Sequence, residues 1–305
     1  MRRLAPLVLA IPLAVAGCGS SDDMPTVKGE FGKAPDVAIP SETPIAKQRA
    51  EVVTEGKGRA VKQGDVVVAG YAGYVWGADK KNRLVESTYK QGTPTAFAIN
   101  DQLVAGLRTG LVGKKIGSRV QVLLPAKEVY GDQGNTQAGV KKDDSLLFVM
   151  DLLADYPGKA SATGAGQKAD DAKLPKVTGG DGAQPKIEIP KGDPPAKLST
   201  TVLKQGNGPA VKSGQLVVVQ YTGVNWRDGK VFDSTWSKGG TPFPTLIGRG
   251  AVIKGWDTGV VGQKAGSRLL LVVPPKDGYG KKGASQAGIK GTDTLVFVID
   301  VLGAH

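Results

Sequence analysis

The chain of 305 residues is 40% hydrophobic and 22% charged, a globular balance whose length suits about two domains. Its single cysteine, Cys18, and single histidine, His305, exclude an intramolecular disulfide, a zinc site built on Cys and His, and the positioned imidazole of a Ser-His-Asp or Cys-His centre; no metal and no cofactor are expected. The formal charge of +12 is spread along the chain, with no basic run interleaved with aromatics, which speaks against nucleic acid and for loose attraction to an anionic envelope.

The chain begins like a targeting segment. Arg2 and Arg3 precede an apolar run over 4–16, too short to span a bilayer, which needs roughly 20 apolar residues. The run ends in VAGC (15–18) and the polar GSSDD, so residues 1–17 are expected to be a lipoprotein signal peptide, with Cys18 lipidated as the first mature residue. An ordinary secretory signal cut after Ala16 is the alternative. Residues 18–46 then form a tether between lipid and protein.

Two copies of one unit follow. PDVAIPSETPIAK (35–47) matches PKIEIPKGDPPAK (185–197), GKGRAVKQGDVVV (56–68) matches GNGPAVKSGQLVV (206–218), and VGKKIGSRVQVLLP (112–125) matches VGQKAGSRLLLVVP (261–274). A period of about 150 means duplicated domains rather than a solenoid. The expected division is a first domain over 47–154, a flexible linker over 155–197, small, polar and without apolar periodicity, and a second domain over 198–305. Within the second copy, LVVVQYTG (216–223), SRLLLVVP (267–274) and TLVFVIDVL (294–302) read as strands; in the last, Leu295, Phe297, Ile299 and Val301 share one face. The stretch AVIKGWDTGV (251–260) spaces Val252, Trp256 and Val260 for a short helix, and QLVAGLRTGL (102–111) does the same in the first copy. The expected fold is α+β: in each domain an antiparallel sheet covers one short helix.

Taken in order, VQYTG (219–223), GKVFDST (229–235), TPF (241–243), GAVIKGWDTGVVG (250–262) and GYG (278–280) resemble the FKBP-type peptidyl-prolyl isomerases, the macrolide-binding immunophilins, over about 200–305; the first copy resembles them more weakly. The resemblance implies a twisted sheet wrapped on the short helix and an aromatic cleft between them. It implies catalytic roles for Phe232, Asp233, Trp256 and Tyr279, and substrate contacts from Tyr221, Phe243, Val252, Ile253, Phe297 and, at the rim, Ile289. Trp256 would be the floor under the proline ring. Tyr221, Phe243 and Phe297 would be walls. The Tyr279 hydroxyl and Ile253 N–H would hold substrate carbonyls, and Asp233 would orient Tyr221 or the rotating carbonyl electrostatically. On pattern alone, Trp256 and Phe297 also fit core positions, the two tyrosines structural ones, and Asp233 a turn.

In the first copy Tyr71, Tyr130 and Phe148 remain, while Trp256 becomes Leu107, Phe232 becomes Val85, Asp233 becomes Glu86 and Phe243 becomes Thr95. Thr95 in place of Phe is expected to open the wall. The second copy is therefore expected to carry catalysis, and the first to be weakened or inactive, a spacer, stabiliser or loose client-binding surface; two active copies with different substrate preferences are the alternative. The implied function is isomerisation of Xaa-Pro bonds in exported proteins, outside the membrane and anchored by lipid, with macrolides of the family's ligand class as inhibitors. A non-catalytic chaperone or assembly factor holding proline-containing clients is the alternative.

Overall fold

A computed structural model describes residues 23–168 and 171–305; the signal peptide and Cys18 lie outside the described residues. In chain order the elements are β1 (Thr26–Lys28), β2 (Asp36–Ala38), β3 (Arg49–Thr54), β4 (Val66–Trp76), β5 (Arg83–Ser87), α1 (Thr88–Gln91), β6 (Thr95–Ala98), α2 (Ala105–Leu111), β7 (Arg119–Pro125), α3 (Ala126–Tyr130) and β8 (Ser145–Tyr156). Then come β9 (Ala165–Gly166), β10 (Lys176–Thr178), β11 (Lys186–Glu188), β12 (Ser199–Gln205), β13 (Leu216–Asn225), β14 (Val231–Ser234), β15 (Phe243–Leu246), α4 (Lys254–Val260), β16 (Arg268–Val273) and β17 (Leu295–Ala304).

Each unit is an antiparallel sheet with a short helix on one face. The first sheet runs β3-β7-β8-β4-β5, with β6 also on β4. The second runs β14-β13-β17-β16-β12-β9, with β15 also on β13. The period of two decides which side chains face the helix. Leu295, Phe297, Ile299 and Val301 of β17 join Leu269, Leu271 and Val273 of β16 around Trp256 and Val260. The alternate residues, Val296, Val298, Leu270 and Val272, point to the opposite face. The helix lies close because Gly255 and Gly259 face the sheet: a Cβ there would come within 2.5 Å of Val273 and 2.7 Å of Leu271. Two glycines in a seven-residue helix weaken it by roughly 1 kcal/mol each against alanine, a cost repaid by packing that larger side chains would prevent.

The opposite face is covered as well, and this corrects two expectations. The supposed tether contains the hairpin β1–β2, which lays Met24, Val27, Val37 and Ile39 over Trp76, Leu123, Leu147 and Val149. The supposed flexible linker contains its duplicate, β10–β11, which lays Leu174, Val177, Ile187 and Ile189 over Trp226, Leu270, Val296 and Val298. Each unit thus has a strap, and its structural extent begins near residue 24 or 174. A buried ion pair in each sheet fastens the strap. Arg268 Nε and Nη2 donate to both carboxylate oxygens of Asp300 at 2.6 and 2.8 Å. Its Nη1 and Nη2 also reach the Gly179 and Gly180 carbonyls at 2.8 and 2.7 Å. In the first unit Arg119 holds Asp151 and donates to the Gly29, Glu30 and Lys33 carbonyls. Trp76 and Trp226 pin the far end of each strap, their indole N–H groups donating to the Glu42 and Gly192 carbonyls at 3.0 and 3.1 Å.

The remainder of 155–197 also lies against the second unit. Ala162 N–H donates to Asp300 Oδ2 at 3.0 Å, Gly164 N–H to Gly266 O at 2.9 Å, and β9 pairs with β12. The two units meet where Val66 and Val68 of β4 pack with Leu216 and Val218 of β13, flanked by Leu153, Tyr156 and Leu302. At the edge of this contact the Tyr156 hydroxyl lies 2.6 Å from His305 Nε2. Burial lowers the His305 pKa from 6.5 and pushes the Tyr156 phenol up to about 12, so at neutral pH a neutral imidazole accepts the tyrosine's hydrogen bond. A depressed folded-state pKa gives stability that is complete above 6.5 and lost as pH falls through the folded value. Urea midpoints measured from pH 7 to pH 5 should therefore fall less steeply for H305Q than for the wild type; parallel slopes would show that His305 does not titrate on folding.

Candidate active site

The cleft of the second unit forms where β13, β14, β15, the start of α4 and the turn after β16 converge. It encloses about 200 Å³ and is lined by Tyr221, Phe232, Asp233, Phe243, Ala251, Val252, Ile253, Trp256, Tyr279 and Phe297. Nine of the ten residues expected there are present together. The exception is Ile289, expected at the rim: a β-bridge to Ala284 turns it inward, and it is 3% exposed in the core around Trp256.

The aromatic rings meet edge to face. Trp256 stands at 84° to Tyr221 and 87° to Phe297, with centroids 5.1 and 5.4 Å apart; Phe232 meets Phe297 at 5.5 Å, and Phe243 meets Tyr221 at 5.9 Å. Such contacts fix each ring beyond what burial alone would do. Phe243 and Tyr279 remain 39% and 43% exposed at the mouth, where a ligand could cover them. Trp256 is buried, yet its Nε1 has no hydrogen-bond partner among the described residues. The two strap tryptophans, by contrast, both find carbonyl acceptors. A tryptophan present only for packing usually satisfies its N–H, so this contrast separates Trp256 from the structural pair.

Asp233 is held on both sides. The Tyr221 hydroxyl donates to Oδ2 at 2.6 Å, and Lys238 Nζ lies 2.6 Å from Oδ1. Burial raises the Asp233 pKa, but the bonds from Lys238 and Tyr221 outweigh it and leave the carboxyl below its ordinary 3.8. Burial and the neighbouring carboxylate push the Tyr221 phenol well above its usual range, so it stays a donor. Lys238 was not singled out from the sequence; the available signal was a cation five residues after Asp233. Ile253, extended at φ −60° and ψ 149°, precedes α4, so its N–H belongs to the group that a helix start leaves without an intrahelical acceptor. Asp257, one residue beyond Trp256, accepts from the Gly248 and Gly250 N–H groups at 2.7 and 2.8 Å and so braces the loop carrying Val252 and Ile253.

The stabilisation tied to Asp233 is complete above pH 3.8 and is lost as pH falls through its lower folded value. Turnover should therefore show no acid limb from Asp233 between pH 8 and about 5. D233N should lower turnover evenly across that window; a wild-type acid limb near pH 6 that D233N removes would contradict the assignment.

In the first unit Tyr71, Leu107 and Phe148 occupy the matching positions. Thr95 pairs with Ala69 as Phe243 pairs with Val219, so the two are structural counterparts. The wall expected to open at Thr95 is nevertheless filled. Phe97, two residues along and so on the same face of β6, meets Tyr71 at 5.7 Å and 73°. The aromatic has moved two residues along the strand, and Leu107 replaces the floor.

An antiparallel sheet packed on a short helix, with an aromatic cleft beside it, is the arrangement expected of an FKBP-type isomerase. Residues 57–153 and 208–302 each match the family of FKBP-type peptidyl-prolyl cis-trans isomerases. The chain belongs to that family, as two tandem domains. Similar proteins include an FK506-binding protein from Streptomyces anulatus, 41% identical over 119 residues, covering 39% of this chain and 95% of that protein. A probable FK506-binding protein from Corynebacterium glutamicum is 38% identical over 121 residues, 40% of this chain and 98% of that one. Peptidyl-prolyl cis-trans isomerase FKBP10 of Mus musculus is 27% identical over 249 residues, 81% of this chain and 36% of that protein.

Proposed function

We propose that the second unit isomerises Xaa-Pro bonds in exported proteins, by desolvating the prolyl group in the cleft floored by Trp256. The supporting observation is that floor: a buried indole in a cleft shared with five aromatic side chains and Ile253, with its N–H unpaired among the described residues. The planar amide carries a large dipole and is well hydrated. Twisting removes the resonance behind a barrier of roughly 18–20 kcal/mol and leaves a less polar carbonyl. A dry aromatic cavity therefore disfavours the planar form relative to the twisted one, and a shape matched to the twisted form adds to the difference.

In this reading the Tyr279 hydroxyl and the Ile253 N–H hold substrate carbonyls, while Tyr221, Phe243 and Phe297 wall the ring. Asp233 positions Tyr221 with help from Lys238. No nucleophile is needed. Macrolides of the class named in the relatives would occupy the same cleft. Uncatalysed isomerisation takes tens to hundreds of seconds, slow enough to limit folding. In this reading residues 1–17 are a lipoprotein signal and Cys18 carries the lipid anchor, so the work is done outside the membrane. The first unit, without the tryptophan floor, serves as a client-binding surface; its exposed Val85 and Tyr130, at 50% and 38%, favour that role.

The test is cis/trans relaxation of an Xaa-Pro peptide with the full chain, comparing wild type with substitutions in each cleft. Acceleration that survives substitution at Trp256 and disappears on substitution at Leu107 would assign catalysis to the other unit. No acceleration by a folded wild type would leave the client-binding reading.

A further inference from the structure

We propose that the cleft of the second unit favours prolyl segments with an acidic side chain within a few residues of the proline, read by Lys281 and Lys282; this rests on the reading of that cleft as the isomerase site. The two lysines sit on the single 3-10 turn Gly280–Lys282, whose preceding residue is Tyr279 of the cleft. The turn is anchored. Gly283 N–H donates to Gly280 O at 3.1 Å, and the Ala284–Ile289 bridge closes the loop behind it. Both lysines are exposed, and neither has an ion-pair partner among the described residues.

The nearby carboxylates are already occupied. Asp233 is held by Lys238 at 2.6 Å, and Asp277 by Lys254 and Lys276 at 3.2 and 3.6 Å. Asp257 accepts from two backbone N–H groups. The carboxylates around the mouth are thus balanced internally, and the ammonium groups of Lys281 and Lys282, carried on the turn that follows Tyr279, have no protein counter-charge among the described residues. The first unit reverses this character. The positions of Lys281 and Lys282 are taken there by Asp132 and Gln133, with Asp132 paired to Lys127 at 2.9 Å. Glu86, the counterpart of Asp233, is exposed, and Gln91 stands where Lys238 does. The cationic lip therefore belongs to the second cleft alone and is not a general property of a basic chain.

Exposed ion pairs are individually weak, so two lysines set a preference rather than a requirement. Peptides Ala-Xaa-Pro-Phe and Ala-Leu-Pro-Xaa, with Xaa either Glu or Lys, would be assayed with the full chain. At low ionic strength the Glu peptide of at least one pair should show a kcat/KM about fivefold above its Lys partner. The ratio should shrink toward one near 1 M salt, where screening acts over about 3 Å. In the K281E/K282E variant the preference should reverse. Equal rates for both peptides of each pair, or a ratio that the variant leaves unmoved, overturns the inference while the isomerase reading stands. No turnover of any peptide overturns both. Binding to phosphatidylglycerol vesicles that the variant abolishes, with the peptide ratio unmoved, assigns the lysines to a lipid surface and also overturns it.

Discussion

Trp256→Leu, which copies the first unit into the second, should lower kcat/KM for an Xaa-Pro peptide roughly 100-fold, about 2.7 kcal/mol of transition-state stabilisation. The indole touches two of the three wall rings edge-on, so its loss removes the floor and loosens Tyr221 and Phe297 together. The fold should survive. Leu107 fills the same position in the first unit at 6% exposure, and the removed indole N–H had no partner to lose. Complete truncation of a buried tryptophan costs roughly 3–5 kcal/mol, and a leucine recovers part of that. The measurement is peptide turnover alongside urea unfolding of the same preparation. Near-wild-type turnover in a folded variant would remove Trp256 from the site and with it the desolvation mechanism.

The largest expected loss of stability lies on the other side of the sheet. Arg268→Met leaves Asp300 buried without its partner, and breaking a buried pair in this way costs roughly 3–5 kcal/mol. Typical domains have only about 5–15 kcal/mol to lose. The same substitution withdraws the donors to the Gly179 and Gly180 carbonyls, so the β10–β11 strap should become sensitive to protease before the sheet unfolds. The double variant R268M/D300L should regain stability relative to R268M while the strap stays loose, because an apolar pair restores the sheet interior and not the strap's hydrogen bonds. A single variant within about 1 kcal/mol of wild type would show that the strap and sheet do not depend on the Arg268 clasp. Arg119 and Asp151 predict the same behaviour for the first unit.

What could be read from the sequence follows from the length of each signal. The alternation in β17 runs for ten residues with one face apolar and core-bound, and the structure places Leu295, Phe297, Ile299 and Val301 together as the period of two requires. The helix was visible from Val252, Trp256 and Val260, although Val252 lies before its first turn. The straps were not recognised, because each strand is three residues long and set among Pro, Gly and Lys. Three residues are too few for a periodicity to declare itself. The matched copies at 35–47 and 185–197 did show that these segments were inherited with the domains, yet their lack of long apolar runs favoured a solvated reading. In the cleft, position-by-position transfer located every lining residue it named except Ile289, where a bridge rotates the loop inward. It missed Phe97, because a shift of two along a strand keeps the face and changes only the depth. It missed Lys238 because a long side chain reaches back to Asp233 from a neighbouring 3-10 turn.

The strap also changes what counts as a portable piece of this chain. Family similarity starts at residue 208, but a cassette cut there would leave behind the lid over Trp226, Leu270 and Val298 and present a greasy back to water. Such a fragment would tend to self-associate through that bared side, and lost activity in it would report clumping rather than chemistry. Duplication carried lid, clasp and sheet as one block, so a module exchanged between chains should be cut before its lid.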